Sequence, residues 1–98
     1  MTWTVRLAPS ATREVGTLSG SAKSEAVALL LQLQEDPIEL ADTVLEGYEN
    51  VYAARFYRSR YRMIYKVSTK QRRVIVLRVR PRESAYRGMQ PVEFETEP

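Results

Sequence analysis

From Tyr52 to Val79 the chain runs through three successive segments with a period of two, and no other feature constrains the fold as tightly. Tyr52, Ala54 and Phe56 share one phase, then Tyr61, Met63, Tyr65 and Val67, then Arg73, Ile75, Leu77 and Val79. Successive side chains on a strand point to opposite faces, so each segment predicts a strand with one buried side. Arg58-Ser59-Arg60 and Ser68-Thr69-Lys70-Gln71 are polar links of hairpin length, which predicts an antiparallel meander.

A half-buried sheet must be covered, and the N-terminal part supplies the cover. Trp3, Val5 and Leu7 alternate with Thr4 and Arg6, as a first strand would. Pro9 and Ser10 then open a helix, with Ser10 at the capping position, and Ala11, Val15 and Leu18 recur at helical spacing before Ser19-Gly20-Ser21 closes it. Ala22, Ala26, Leu29, Leu30 and Leu33 mark a longer second helix, which Asp36-Pro37 ends because proline disfavours helix in the preceding residue. A short strand is expected near Thr43 to Leu45, with a turn at Gly47. The fold class is therefore α+β: an N-terminal strand and a helical hairpin packed on a small, mostly antiparallel sheet. Residues 1–87 are expected to form one domain and residues 88–98 an acidic, partly mobile tail.

Charge is distributed unevenly along this frame. The net charge is +3, but residues 1–51 carry three basic and eight acidic groups, and residues 52–87 carry twelve basic groups and one acid, Glu83. The tail adds three glutamates, and arginine outnumbers lysine twelve to three. A field of this sign attracts polyanions, and a guanidinium can grip a phosphate through two parallel hydrogen bonds. Cysteine and histidine are absent, which removes thiolate metal sites and the commonest acid/base residue, so no metal and no cofactor is expected. The longest wholly apolar run, Ala26 to Leu31, is too short to span a bilayer. A reducing cytoplasm is the expected compartment, with neither membrane nor small-molecule partner.

Strand parity sorts the arginines. Opposite the apolar face lie Ala53, Arg55 and Tyr57, then Arg62, Ile64 and Lys66, then Val74, Val76, Arg78 and Arg80, with Arg82 just beyond. One face is expected to present Arg55, Arg62, Arg78, Arg80 and Arg82 together, with Tyr86 arriving from the segment that follows. Charges on the outer face of a half-exposed sheet are ordinary solvation when taken singly. As a set they repel one another across strands, so a partner is expected to supply the missing negative charge. Tyr48, Tyr52, Tyr57, Tyr61 and Tyr65 read as strand or core aromatics; Tyr86 lies in a polar run with no apolar period and is a candidate functional group.

The run YAARFYRSRYRMIYKVSTKQRRVIVLRVRPRESAYR resembles the RelE/ParE superfamily of toxins from bacterial type II toxin-antitoxin systems, and within it the RelE branch. The first strand, the helical hairpin ending in Asp36-Pro37, Gly47, the YRMIY strand and the arginine followed by a tyrosine stand in the order that family has. The resemblance implies a toxin that cuts messenger RNA, on the ribosome and without a metal, and that pairs with an acidic antitoxin. It also implies Arg55, Arg62, Arg82 and Tyr86 as catalytic residues. Arg78, Arg80, Lys66, Arg58 and Arg60 are then expected RNA contacts. Ala53 stands where the best-known RelE pattern has a lysine, and Pro81 where many relatives have a histidine. Two alternatives stay open: a gyrase inhibitor of the ParE kind, and a catalytically weak RNA-binding homologue.

Overall fold

The structure is a computed structural model and describes residues 2–89. The tail expected over 88–98 falls mostly outside them. The elements are β1 (Thr4–Leu7), α1 (Pro9–Thr17), α2 (Gly20–Leu33), β2 (Thr43–Val44), β3 (Val51–Phe56), β4 (Tyr61–Ser68) and β5 (Arg73–Pro81). They build one five-stranded sheet in the order β1-β5-β4-β3-β2. β2 to β5 pair antiparallel, and β1 joins parallel to β5, so the α+β architecture and the meander are as the periodicity predicts.

The helices depart from expectation at their ends. Ala8, not Ser10, is the N-cap of α1, and Pro9 occupies the first turn, where its missing N–H is no loss. The Ser10 hydroxyl instead donates to the Leu77 carbonyl at 3.2 Å, tying α1 to β5. Ser19-Gly20-Ser21, expected to close the first helix, opens the second, with Ser19 as its N-cap. Ala22, Ala26, Leu29 and Leu33 are the buried residues of α2, so the expected stripe faces the sheet except that Leu30 is only half-buried.

Two apolar clusters hold the sheet. On the helix side, Ala11, Leu18, Ala26, Leu29 and Leu33 pack on Ala54, Phe56, Met63, Tyr65, Val67, Val74, Val76 and Val79. Tyr65 is wholly buried and its hydroxyl donates to the Pro37 carbonyl at 2.6 Å. Burial, with smaller contributions from Asp42 and Tyr52, pushes its phenol well above the ordinary value, so it stays a neutral donor. The far side is also covered: Ala8, Leu45, Val51, Ala53, Ile64, Ile75, Leu77 and Ala85 form a second cluster.

That second cluster corrects the parity argument. Tyr65 pairs with Val76 but Ile64 pairs with Arg78, so Leu77 bulges out of the ladder. One extra residue reverses the side to which every residue before it points. Val74 and Val76 consequently pack under the helices, whereas Ile75 and Leu77, expected there, belong to the far cluster. Beyond the bulge the expected phase holds, with Val79 on the helix side. The far face is therefore no open basic surface: apolar packing closes one half of it.

Candidate functional site

The open half of the far face carries a row of arginines. Arg55 pairs with Arg62, and Arg62 with Arg80, one on each strand of the meander. Like charges directly opposite one another destabilise a sheet. Carboxylates at both ends of the row offset this. Asp42 accepts the Arg55 backbone N–H at 2.7 Å and lies 3.5 Å from its guanidinium. At the other end, Glu14 of α1 accepts the Val79 N–H at 2.8 Å and the Arg80 Nε–H at 2.6 Å. β1 pairs with β5 only as far as Val76, which leaves the edge beyond it unpaired, and Glu14 satisfies that edge. The acidic N-terminal half thus supplies part of the negative charge that a partner was expected to bring.

Arg62, between these pairs, has carbonyl rather than carboxylate acceptors. Its Nη1 donates to the Ser59 carbonyl at 2.7 Å and to the Tyr61 carbonyl at 3.3 Å, bracing the β3–β4 hairpin tip. The tip is strained: Tyr57, Arg58 and Ser59 have φ of 52°, 55° and 64°, three consecutive non-glycine residues in the left-handed region. Each such residue costs on the order of 1 kcal/mol and persists only where its surroundings over-determine it. Besides Arg62, Glu25 of α2 accepts the Tyr57 N–H at 2.7 Å, the Arg60 N–H donates to the Tyr57 carbonyl at 3.0 Å, and the Arg82 N–H donates to the Arg60 carbonyl at 2.8 Å.

Between this tip and the end of β5 opens a pocket of about 540 Å³, lined by Tyr57 to Tyr61 and by Pro81, Arg82 and Glu83. Tyr61 stacks on Phe56 with centroids 5.5 Å apart, and Tyr57 tilts against it at 6.1 Å. Arg58, Arg60 and Arg82 make no side-chain hydrogen bond or ion pair among the described residues. A pocket lined by three available arginines and by part-buried Tyr57 and Tyr61 suits a ligand with both phosphates and flat bases.

The remaining expected contacts fall elsewhere. Lys66 lies four residues along β4 from Arg62, roughly 13 Å away at strand spacing, and lines a separate recess with Lys70. Arg78, expected on an open face, is a buried charged side chain with 3% exposure. Its guanidinium donates to the carbonyls of Ala85, Arg87 and Gly88, so it faces protein rather than a phosphate. Tyr86 is 42% exposed on the turn after β5. The structure thus brings Arg58, Arg60 and Arg82 to one pocket and Arg55, Arg62 and Arg80 to one row, with the hairpin tip between them. The engagement of Arg55 by Asp42 and of Arg80 by Glu14 had no signal in strand periodicity. Only the acidic residues of the N-terminal half hinted at it. Among the described residues no group of three or more His, Cys, Asp or Glu side chains could hold a metal ion, and no helix is long and apolar enough to cross a membrane.

Comparison with solved structures places this architecture. The RelBE2 toxin-antitoxin complex of Mycobacterium tuberculosis matches over 84% of this chain and 100% of that one, with a TM-score of 0.72 and 23% identity. The archaeal RelE-RelB complex of Pyrococcus horikoshii matches over 87% and 100%, with a TM-score of 0.68 and 25% identity. A chromosomal ParDE system of P. aeruginosa matches over 82% and 96%, with a TM-score of 0.64 and 15% identity. No protein-family model and no curated protein matches the sequence. What is shared at these identities is the RelE-type fold.

Proposed function

We propose that this chain is the toxin of a type II toxin-antitoxin pair and an endoribonuclease that cuts messenger RNA on the ribosome. The observation that carries the reading is the pocket at the hairpin tip: in a RelE-type fold, Arg58, Arg60 and Arg82 stand available around Tyr57 and Tyr61. Its volume of about 540 Å³ lies within the range of small-ligand sites. RNA differs from DNA at the ribose 2′-hydroxyl, and that group is the nucleophile in the proposed reaction. It attacks the adjacent phosphorus, the 5′-oxygen leaves with a proton, and a 2′,3′-cyclic phosphate remains.

Each residue has a part in this scheme. Arg82, with Arg58 and Arg60, holds the backbone phosphates. Among the described residues Arg62 has carbonyl and no carboxylate partners, so its guanidinium is placed to exchange carbonyl contacts for the charge growing on the phosphorane. Arg55 adds to that field, and Tyr86, through its hydroxyl, orients the substrate or accepts the 2′-hydroxyl proton. Bringing reacting groups into line is itself a large part of such catalysis, and the ribosome completes it. The partner is an acidic antitoxin, whose carboxylates pair with the same available arginines; the M. tuberculosis and P. horikoshii structures are complexes of toxin and antitoxin.

Primer extension on ribosome-bound message tests this. The parent is expected to give defined breaks, and the Arg62→Ala, Tyr86→Phe double variant to cut at least about 100-fold more slowly. Equal rates would remove these residues from the site. The fold likeness to the ParDE system supports a second reading, a gyrase poison. Intact message together with trapped gyrase-DNA complexes would select it.

A further inference from the structure

We propose that Arg78 is a positioning residue, whose buried guanidinium clamps the turn after β5 so that Tyr86 is held at the substrate. This rests on the reading of Tyr86 as a group that touches RNA. Nη1 donates to the Ala85 carbonyl at 3.2 Å and to the Arg87 carbonyl at 2.7 Å, and Nη2 donates to the Gly88 carbonyl at 3.2 Å. Tyr86 sits between the first two acceptors, so its peptide is gripped on both sides. Gly88 has φ of +64°, a conformation glycine adopts without penalty, which turns the third carbonyl back toward the same guanidinium.

Burying a charge is expensive, and its neighbours show what the position would hold if packing alone were required. Ala53, Ile64 and Leu77, all buried beside it on the far face, are apolar. An arginine is warranted where separate carbonyls must be gathered by the two arms of one rigid fork, a task for which an ammonium, a single donor centre, is poorly shaped. The other ties of the turn are local or weak. The Ser84 N–H and hydroxyl donate to the Pro81 carbonyl, the Arg87 N–H to the Ser84 carbonyl and the Arg87 Nη2 to the Glu83 carbonyl at 3.4 Å, while Ala85 is buried and Met89 packs part-buried on the far cluster. The place of Tyr86 therefore depends on Arg78, whereas the amide of Arg82 is fastened separately to Arg60.

The test uses the full chain and ribosome-bound message, with Arg78→Met, Arg78→Lys, Tyr86→Phe and the Arg78→Met, Tyr86→Phe double variant. Arg78→Met is expected to lower kcat about tenfold or more with KM changed less than about twofold. It should have no further effect in the Tyr86→Phe background, since the two act as one unit. Arg78→Lys should recover only part of the rate, and added guanidinium ion should raise the rate of Arg78→Met while ammonium does not. Amide exchange should quicken at residues 84–89 and stay slow in β3, β4 and β5. The proposal is overturned if exchange at 84–89 is unchanged in both Arg78 variants, or if exchange quickens throughout the sheet in both. It is likewise overturned if the rate losses of Arg78→Met and Tyr86→Phe multiply. Should Tyr86→Phe cut like the parent, the proposed site fails, and the exchange data still decide whether the clamp exists.

Discussion

Arg80 and Arg82 stand two residues apart and lead opposite lives. Arg80 lies on the sheet, half-buried, with its Nε–H 2.6 Å from Glu14. Arg82 lies past the strand, with its backbone tied to Arg60 and its side chain open to a pocket. The same division runs through the basic cluster. Arg55, Arg78 and Arg80 are held by groups of the chain itself, and Arg62 braces the tip; Arg58, Arg60 and Arg82 are available to another molecule. Charge counted along a sequence therefore overstates what a partner must neutralise. The carboxylates that pair with Arg55 and Arg80 stand far away in the chain, in the segment before β2 and on α1, while Arg62 and Arg78 are held by backbone carbonyls.

If this division is right, cutting a tie on the sheet should cost stability, and the amount should follow burial. Glu14→Ala breaks two charge-assisted bonds at once and leaves the Val79 N–H and Arg80 guanidinium without their acceptor. It is expected to lower unfolding stability by about 2–3 kcal/mol in urea titration, without a change in the slope. A loss under about 0.5 kcal/mol would erase the distinction between the two groups of arginines. Arg55→Gln should matter far less. Its side-chain contact is 3.5 Å long and half-exposed, while the backbone bond to Asp42 survives, so a change below about 0.5 kcal/mol is expected in the same assay.

The sequence revealed the fold to different depths in different places. β3 and β4 obey a period of two without interruption, so both their extent and their inward faces were legible. β5 was legible in extent but not in phase, because a bulge leaves no mark on an unbroken apolar run such as Val74 to Leu77. Every residue of that run is buried on one face or the other, so alternation carried no information there. The open end of the site was legible for a related reason. Arg58 and Arg60 belong to a polar link between two clear strands, and such links lie at the surface. Arg78 was misplaced because the parity that put it on the far face says nothing of what covers that face. Its covering, Ala85 and the turn around Tyr86, lies beyond the last periodic residue. The resemblance to RelE toxins pointed to Arg62 and Tyr86, and the structure shows the neighbours of each: carbonyls of the left-handed hairpin tip for Arg62, and for Tyr86 a turn whose flanking carbonyls accept from Arg78.

The central claim, that Arg58, Arg60 and Arg82 of the hairpin-tip pocket, and not Arg80 of the sheet row, hold the RNA backbone phosphates, has a direct measurement. A short single-stranded RNA is titrated against the parent, against the Arg58→Gln, Arg60→Gln, Arg82→Gln triple variant and against Arg80→Gln, at several salt concentrations. The triple variant is expected to lose about 100-fold or more in affinity. The slope of log affinity against log salt should become shallower by about 2, since each single-strand phosphate contact contributes roughly 0.7. Arg80→Gln should keep the parent's slope. A triple variant that binds with the parent's affinity and slope, or an Arg80→Gln variant that loses as much, would contradict it.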